Sequence, residues 1–251
     1  MRKPVQDRQP IVVVHDLRKS FGPQQVLHGI DLAVAQGETL AVLGRSGIGK
    51  SVLLKLIIGL QKPDSGSIVV QGQEITGLDL NQLNEIRKKI GFLFQQAALY
   101  DSMTVEENVA FPLRRHTKLS ESEQKERVRE LLANVGMEED HEKLPSQISG
   151  GMQKRVGLAR ALALDPEILL FDEPTAGLDP ITADEIGELI VDLKKKRSIT
   201  SVVVTHDIHA ARAFTDRLAL INDGRIVVEG TFNELQKSRE RFVHQFLREA
   251  A

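Results

Sequence analysis

The residues with the clearest chemistry run Gly44-Arg45-Ser46-Gly47-Ile48-Gly49-Lys50-Ser51, which is the spacing of a phosphate-binding loop. Glycines let backbone N–H groups curl around phosphate oxygens, and a helix that begins behind them adds positive potential. Lys50 can reach the outer phosphates of a nucleotide, and the Ser51 hydroxyl can bind Mg²⁺. A plain glycine turn is the alternative, but the apolar run before the loop and the helical spacing after it are the context that a nucleotide site requires.

A pair of carboxylates, Asp172 and Glu173, directly follows the apolar run 168–171. Ligands of open α/β sheets bind at the carboxyl ends of the strands, so we expect this pair near the phosphate-binding loop. Asp172 suits the coordination shell of Mg²⁺, through water, and Glu173 is placed to polarise an attacking water. Phosphoryl transfer needs a phosphate cradle, a metal and a water-positioning residue, and the sequence supplies a candidate for each. Taken alone, the pair can also be a solvated turn before Pro174.

The elements that must position these residues alternate between strand and helix patterns. Apolar or alternating runs predict strands at 11–14, 30–34, 39–43, 67–71, 90–94, 168–171 and 202–204, and a hairpin at 218–229. Helical spacing follows Ser51, and two more helices are predicted in the middle of the chain, one beginning at Ser120 and one near Ser149. A capping box at Thr182 and Glu185 predicts the start of a further helix. Alternation of this kind implies an α/β fold with a mostly parallel sheet.

Composition limits the class of protein. The chain has 251 residues, 41% hydrophobic and 27% charged, which is typical of a folded globular protein and excludes a disordered chain or a coiled-coil rod. Lys and Arg number 33 and Asp and Glu 35, and this net charge of −2 argues against non-specific nucleic-acid binding. The chain has no cysteine, so disulfides and thiolate sites are excluded. Because no apolar run approaches the length of a membrane span, we expect a cytoplasmic protein.

Four further motifs occur in a fixed order along the chain. Gln95 ends the strand run 90–94, Ser149-Gly150-Gly151 opens a helix, Asp179 follows the acidic strand, and His206 follows the next strand. Together with the phosphate-binding loop and the Asp172–Glu173 pair, this set resembles the nucleotide-binding subunit of an ABC transporter.

The resemblance covers residues 11–248 and implies an architecture. We expect an α/β fold of the P-loop NTPase, ABC-type nucleotide-binding class. Residues 1–95 and 166–248 would form a RecA-like mixed-sheet core with an N-terminal antiparallel β subdomain. Residues from about 96 to 165 would form an inserted helical subdomain.

By this resemblance the ligands are ATP and Mg²⁺, and the chain is an ATPase. Phe21 would stack on adenine, although packing of this ring in a turn is an equally good interpretation. Gln95 would touch Mg²⁺ and the attacking water and couple to the membrane partner. His206 would contact the γ-phosphate and hold Glu173, whereas a single histidine after a strand is by itself more often structural.

The resemblance also implies that the protein works in pairs. Ser149, Gly150 and Gly151 would close over the ATP of a second copy, with Asp179 at the seam between the two copies. A helix N-terminus with two glycines and a hydroxyl is a good anion site, which agrees with that role. The family motif usually ends in Gln, and Met152 stands there in this chain, which removes a polar side chain.

The Ser-Gly-Gly-Met sequence, followed by Lys154 and Arg155, resembles the Mla branch of the family, which moves phospholipids between the inner and outer membranes. This branch implies an integral permease, an MCE-domain protein and a small STAS-type regulatory subunit as partners. The chain would then lie on the cytoplasmic side of the inner membrane, attached through the permease. Leu99 and Tyr100 would either line a groove for the permease or pack within the helical subdomain.

The alternatives to phospholipid transport are another transport substrate, or a regulator of a cell-envelope or division complex that transports nothing. A soluble ATPase of translation or repair is disfavoured, because such proteins carry two cassettes or long coiled coils.

Overall fold

The computed structural model describes residues 8–238 and 240–249, so residues 1–7, with which the expected core segment 1–95 begins, lie outside the described residues. The strands are β1 Pro10–Phe21, β2 Gln24–Ala35, β3 Thr39–Leu43, β4 Ser65–Val70, β5 Gln73–Glu74, β6 Ile90–Leu93, β7 Ile168–Asp172, β8 Thr200–Thr205, β9 Arg217–Asn222 and β10 Arg225–Gly230. The helices are α1 Lys50–Ile57, α2 Leu80–Arg87, α3 Val105–His116, α4 Glu121–Asn134, α5 Gly150–Ala161, α6 Pro180–Arg197, α7 Ile208–Phe214, α8 Phe232–Gln236 and α9 Arg241–Glu249. No helix within these ranges combines the length and the apolar character needed to cross a bilayer.

A four-stranded antiparallel sheet forms the N-terminal part of the fold, in the order β2-β1-β4-β5. Its long first hairpin, β1 and β2, buries apolar side chains such as Val12, Leu17 and Ile30. These side chains share one hydrophobic cluster with the strands of the second sheet and with α1. The antiparallel sheet is therefore packed onto the sheet that carries the phosphate-binding loop.

The second sheet has the order β10-β9-β3-β8-β7-β6, with β10 antiparallel and its other strands parallel. Every residue of β3, β7 and β8 is buried, which explains why these strands are near-continuous apolar runs in the sequence. Leu43 pairs with Thr205, and Asp172 pairs with Val204, so the carboxyl ends of these three strands meet at one edge. That edge carries the site.

The helices α3, α4 and α5 pack together between β6 and β7 in the chain order. Ser120 and Glu123 form a capping box at the start of α4, which confirms the helix predicted to begin at Ser120. The helix predicted near Ser149 is also confirmed as α5, although it ends at Ala161, one turn before the Asp165-Pro166 pair at which we expected it to stop. The sequence pattern did not predict α2 or α3, which begin at their own capping boxes on Asp79 and Thr104.

The start of α6 corrects one expectation. The proposed capping box of Thr182 and Glu185 is wrong, because α6 begins at Pro180 with Asp179 as its N-cap. The Asp179 carboxylate accepts a hydrogen bond from the backbone N–H of Thr182 at 3.1 Å. Aspartate is at least as good an N-cap as threonine, and proline is favoured at the first helical position, so the earlier start is the more stable one.

Candidate active site

The phosphate-binding loop connects β3 to α1 at the carboxyl edge of the second sheet. Gly49 has a φ of 105°, and a Cβ there would lie 2.7 Å from Cγ1 of Val26, so both conformation and space require glycine. Lys50 is buried as the first residue of α1, and its Nζ donates to the carbonyl oxygens of Gly44 at 2.8 Å and Arg45 at 3.1 Å. These bonds hold the ammonium beneath the curl of the loop, where phosphate oxygens would approach it.

Ser51 and Asp172 come together although they are far apart in the sequence. The Ser51 Oγ donates to Oδ1 of Asp172 at 2.6 Å. Burial raises the pKa of Asp172 and the neighbouring Glu173 charge adds to this, while the Ser51 hydrogen bond opposes it. A hydroxyl and a carboxylate are oxygen ligands of the kind that Mg²⁺ prefers, and Mg²⁺ typically takes few protein ligands besides water and phosphate oxygens. The pair therefore fits the expected Mg²⁺ site.

The Glu173 carboxylate is anchored from two sides. Oε1 lies 3.3 Å from the Nζ of Lys50, and Oε2 accepts from Nδ1 of His206 at 2.9 Å and from the backbone N–H of His206 at 3.3 Å. The side chain of Glu173 is 10% exposed and that of His206 is 54% exposed. The structure thus brings the predicted Lys50, Glu173 and His206 into direct contact, with a buried carboxylate and a solvent-facing imidazole.

Lys154 also belongs to this cluster, although the motifs in the sequence predicted no role for it in the site. It is a buried residue of α5, and its Nζ donates to the backbone carbonyl of Glu173 at 3.1 Å. Burial lowers the pKa of Lys154 to about 8, against the opposing effect of the Asp172 and Glu173 charges. The available signal was position: Lys154 shares a helix face with the buried Gly151 and Leu158, where a lysine is unusual.

Two of the predicted ligand-binding residues are exposed beside this cluster. Phe21 is 45% exposed at the end of β1, with the Lys19 ammonium 5.4 Å from its ring centre. Its hairpin partner β2 packs against the phosphate-binding loop through Val26, so the hairpin lies next to the loop. Gln95 is exposed and follows β6, whose residue Leu93 pairs with Phe171 immediately before Asp172. Gln95 therefore extends from the same sheet edge.

The Ser149-Gly150-Gly151 segment and Asp179 form one surface patch. Ser149 caps α5, since its Oγ accepts from the backbone N–H of Met152 at 3.2 Å. A Cβ on Gly151 would lie 2.3 Å from Cγ2 of Thr182, and the Thr182 hydroxyl donates to Asp179 at 2.6 Å. The N-terminal ends of α5 and α6 are thus in contact, with Ser149, Gly150 and Asp179 exposed.

Comparison with known families and proteins decides the class. The model of the family described as ABC transporter matches residues 27–176. The chain is 45% identical over 236 residues to "Probable ribonucleotide transport ATP-binding protein mkl" of Mycobacterium tuberculosis strain H37Rv, covering 94% of this chain and 66% of that protein. The chain belongs to the ABC transporter family.

Another relative is the methionine import ATP-binding protein MetN of Brucella abortus strain 2308, 41% identical over 92% of this chain and 62% of that protein. The chain thus spans about two thirds of the length of these curated relatives.

Solved structures agree with the assignment to ABC cassettes. A dimeric ATP-binding cassette in a post-hydrolysis state, bound to ADP and Pi, superposes with a TM-score of 0.82 at 37% identity and covers 88% of this chain and 98% of its own. The structure of cbiO1 from Clostridium perfringens, part of the ABC transporter complex cbiONQ, has a TM-score of 0.82 at 31% identity. The match covers 97% of this chain and 100% of the cbiO1 chain. These neighbours confirm the expected α/β ABC-type fold and the class of ATPase that binds ATP with Mg²⁺.

Proposed function

We propose that this chain is the ATP-hydrolysing subunit that powers an ABC transporter, with two copies binding two ATP molecules between them. The observation that carries the proposal is the buried Glu173 carboxylate, held by Lys50 and His206 directly after Asp172, which accepts from Ser51. A carboxylate anchored on both oxygens, next to a metal-ligand pair and a phosphate-binding loop, has the placement that phosphoryl transfer to water requires.

Each residue of the cluster has a distinct role in this proposal. The loop from Gly44 to Ser51 binds the phosphates, and Phe21 stacks on the adenine. Ser51, Asp172 and Gln95 would hold Mg²⁺, which when bound neutralises charge on the phosphate oxygens. Glu173 orients the attacking water and accepts its proton, because its carboxylate is buried but reaches the sheet edge.

His206 has two roles in the proposal. It keeps the Glu173 carboxylate in place through Nδ1 and its backbone N–H. Its half-exposed ring would contact the terminal phosphate of bound ATP.

The exposed patch of Ser149, Gly150 and Asp179 supports the two-copy arrangement. The exposed N-terminal end of α5 offers backbone N–H groups and positive potential, which suit the phosphates of ATP bound to the other copy. Asp179 lies at the seam between the copies in this proposal. The relative solved in the ADP and Pi state is a dimer.

A permease is the proposed membrane partner, bound by the helical subdomain at about residues 96–165. A groove of about 310 Å³ opens beside the segment that follows Gln95 and is lined by Phe92, Tyr100, Phe111 and Arg160, among others. The rings of Tyr100 and Phe111 lie 4.8 Å apart in this groove. An aromatic groove next to a residue of the ATP site gives a short path by which a permease segment would sense nucleotide. This docking would place the chain on the cytoplasmic side of the inner membrane.

For the cargo we propose phospholipid, moved with an MCE-domain protein and a small STAS-type regulatory subunit. The support is the sequence of the α5 tip, Ser149 to Arg155, which resembles the lipid-moving branch. The names of the relatives favour other cargo, since one is called a ribonucleotide transporter component and the other a methionine importer component. The cargo must therefore be tested separately from the ATPase.

The ATPase is tested with Glu173→Gln and, as a matched control, Glu126→Gln at an exposed position of α4. We expect Glu173→Gln to reduce turnover by about 100-fold or more, because general-base catalysis typically contributes at least that factor. ATP binding should persist in both variants, and so should ATP-dependent dimerisation, which is measured by sedimentation. Turnover of Glu173→Gln near that of the control would show that Glu173 is not the catalytic carboxylate.

The cargo is tested by affinity purification of the chain from its native membranes, with mass spectrometry of the proteins and lipids that accompany it. A permease, an MCE-domain protein and bound phospholipid are the expected companions. A permease without an MCE-domain protein, whose ATPase rises with methionine or ribonucleotide, would refute the lipid assignment. A permease-like scaffold of a cell-envelope complex with no lipid movement would refute transport itself.

A further inference from the structure

Lys154 is a buried cation at the point where α5 passes the end of β7. It is 4% exposed, and its Nζ donates to the Glu173 carbonyl at 3.1 Å. Burying an ammonium is unfavourable unless it is paired and hydrogen-bonded. The carboxylates of Asp172 and Glu173 supply the compensating charge. A lysine at this position therefore needs an explanation beyond packing.

The Glu173 backbone explains what this ammonium holds. Glu173 has a φ of 46°, in the left-handed region that residues with a Cβ seldom adopt. Its N–H donates to the carbonyl of Val204 at 2.9 Å, and its own carbonyl accepts from the N–H of Ala176 at 3.2 Å as well as from Lys154. The Lys154 bond is the charge-assisted member of this set, and such bonds are about twice as strong as neutral ones.

The strained peptide determines where the carboxylate points. With this backbone, Glu173 reaches both the Nζ of Lys50 at 3.3 Å and the Nδ1 of His206 at 2.9 Å. Relaxation of the peptide to an ordinary φ would swing the side chain away from these partners. A strained residue at an active site persists only where several surrounding contacts hold it in that conformation.

We propose that Lys154 is a positioning residue for Glu173, whose ammonium holds the left-handed peptide so that the carboxylate stays aimed at the attacking water. This inference rests on the proposed function of Glu173. Because α5 begins at the exposed Ser149 cap, the same contact joins the surface that would face the second copy to the catalytic carboxylate of its own copy. Docking of the second copy on the tip of α5 would therefore affect the position of Glu173, because one rigid helix connects the two.

The test uses Lys154→Met, which keeps most of the length of the side chain and removes the charge and the donor. The matched control is Lys125→Met at an exposed position of α4. We expect Lys154→Met to lower kcat by about 10-fold or more with the KM for ATP within about twofold, because only positioning for the chemical step is lost. ATP-dependent dimerisation should match that of the control.

The decisive measurement repeats the substitution in the Glu173→Gln background. If Lys154 acts through Glu173, the second substitution changes the residual turnover by less than about twofold, because coupled residues are not additive. Two results would overturn the inference. One is the same fold loss of kcat from Lys154→Met in the unsubstituted protein and in the Glu173→Gln protein. The other is an unchanged kcat for Lys154→Met alone.

Lys154→Arg, which keeps charge and donors, is the conservative variant. Its kcat should fall by less than about 10-fold relative to the unsubstituted protein, and a larger loss would count against the inference. This arm remains informative if Lys154→Met does not fold. If Glu173→Gln keeps full turnover, the proposed function fails. If Glu173→Gln loses turnover and Lys154→Met does not, only this inference fails.

Discussion

The last turn of α5 holds the segment that follows Gln95, and this contact allows a quantitative prediction. The Arg160 guanidinium donates from one nitrogen to the carbonyl of Ala97 at 2.6 Å and from the other to the carbonyl of Ala98 at 2.7 Å. Ala97 and Ala98 have φ values of 56° and 49°, and a left-handed residue with a Cβ costs roughly 1–2 kcal/mol. The arginine therefore compensates for strain in the loop that approaches the site.

Replacing Arg160 with Leu removes both hydrogen bonds. Bonds to charged donors contribute about 1.5–3 kcal/mol each, and releasing the ordered arginine side chain returns about 2 kcal/mol of entropy. The expected loss in the free energy of unfolding is about 1–4 kcal/mol, which for a chain of this size lowers Tm by about 2–16 °C.

Thermal unfolding followed by circular dichroism measures this effect, with Arg129→Leu on the exposed surface of α4 as the control. A second variant, Ala98→Gly, tests the strain directly. Because Ala98 is exposed and left-handed, glycine should stabilise the protein by up to about 1 kcal/mol. If Arg160→Leu melts within about 2 °C of the control, or Ala98→Gly melts lower than the parent, the reasoning is refuted.

Two other substitutions test the core. The Oε1 of the fully buried Glu38 accepts from the Nε of Arg217 at 2.7 Å. Arg217→Leu removes this partner and should lower the free energy of unfolding, measured by chemical denaturation, by about 3–5 kcal/mol. The Arg217→Leu, Glu38→Leu double variant should recover part of that loss, because Glu38 also accepts a buried backbone N–H that a leucine would leave unpaired. Recovery of none of the loss would contradict a charge effect. Gly91→Ala should cost about 1–3 kcal/mol, because a Cβ there would lie 2.4 Å from the carbonyl oxygen of Ala161. Gly77→Ala, which meets nothing within 4 Å, is its control, and equal melting of the two would refute the clash.

Local signals explain which elements could be predicted. The run Thr39–Leu43 and the helix behind Lys50 were recognised because glycine, a buried strand and helical spacing act over neighbouring residues. The hairpin was predicted at 218–229, and the chain turns between Asn222 and Arg225 as expected. Helix starts were less certain where two good caps compete, as Asp179 and Thr182 show.

The contacts within the site depended on the fold. Ser51 and Asp172 are 121 residues apart and Glu173 and His206 are 33 apart, and they meet because parallel strands end at one edge of the sheet. The sequence could propose each of these residues from its place after a strand. Their distances and burial came only from the register of β3, β7 and β8.

The sequence by itself determined which chemical groups the chain carries and on which kinds of element they lie, since those properties follow from residue type and short-range spacing. Only the tertiary structure decided the left-handed backbone of Glu173 and the buried contact of Lys154 with it. Neither residue has a local preference for these states. Both depend on the fold, which brings the buried Nζ of Lys154 on α5 to the carbonyl of Glu173, the residue that follows β7.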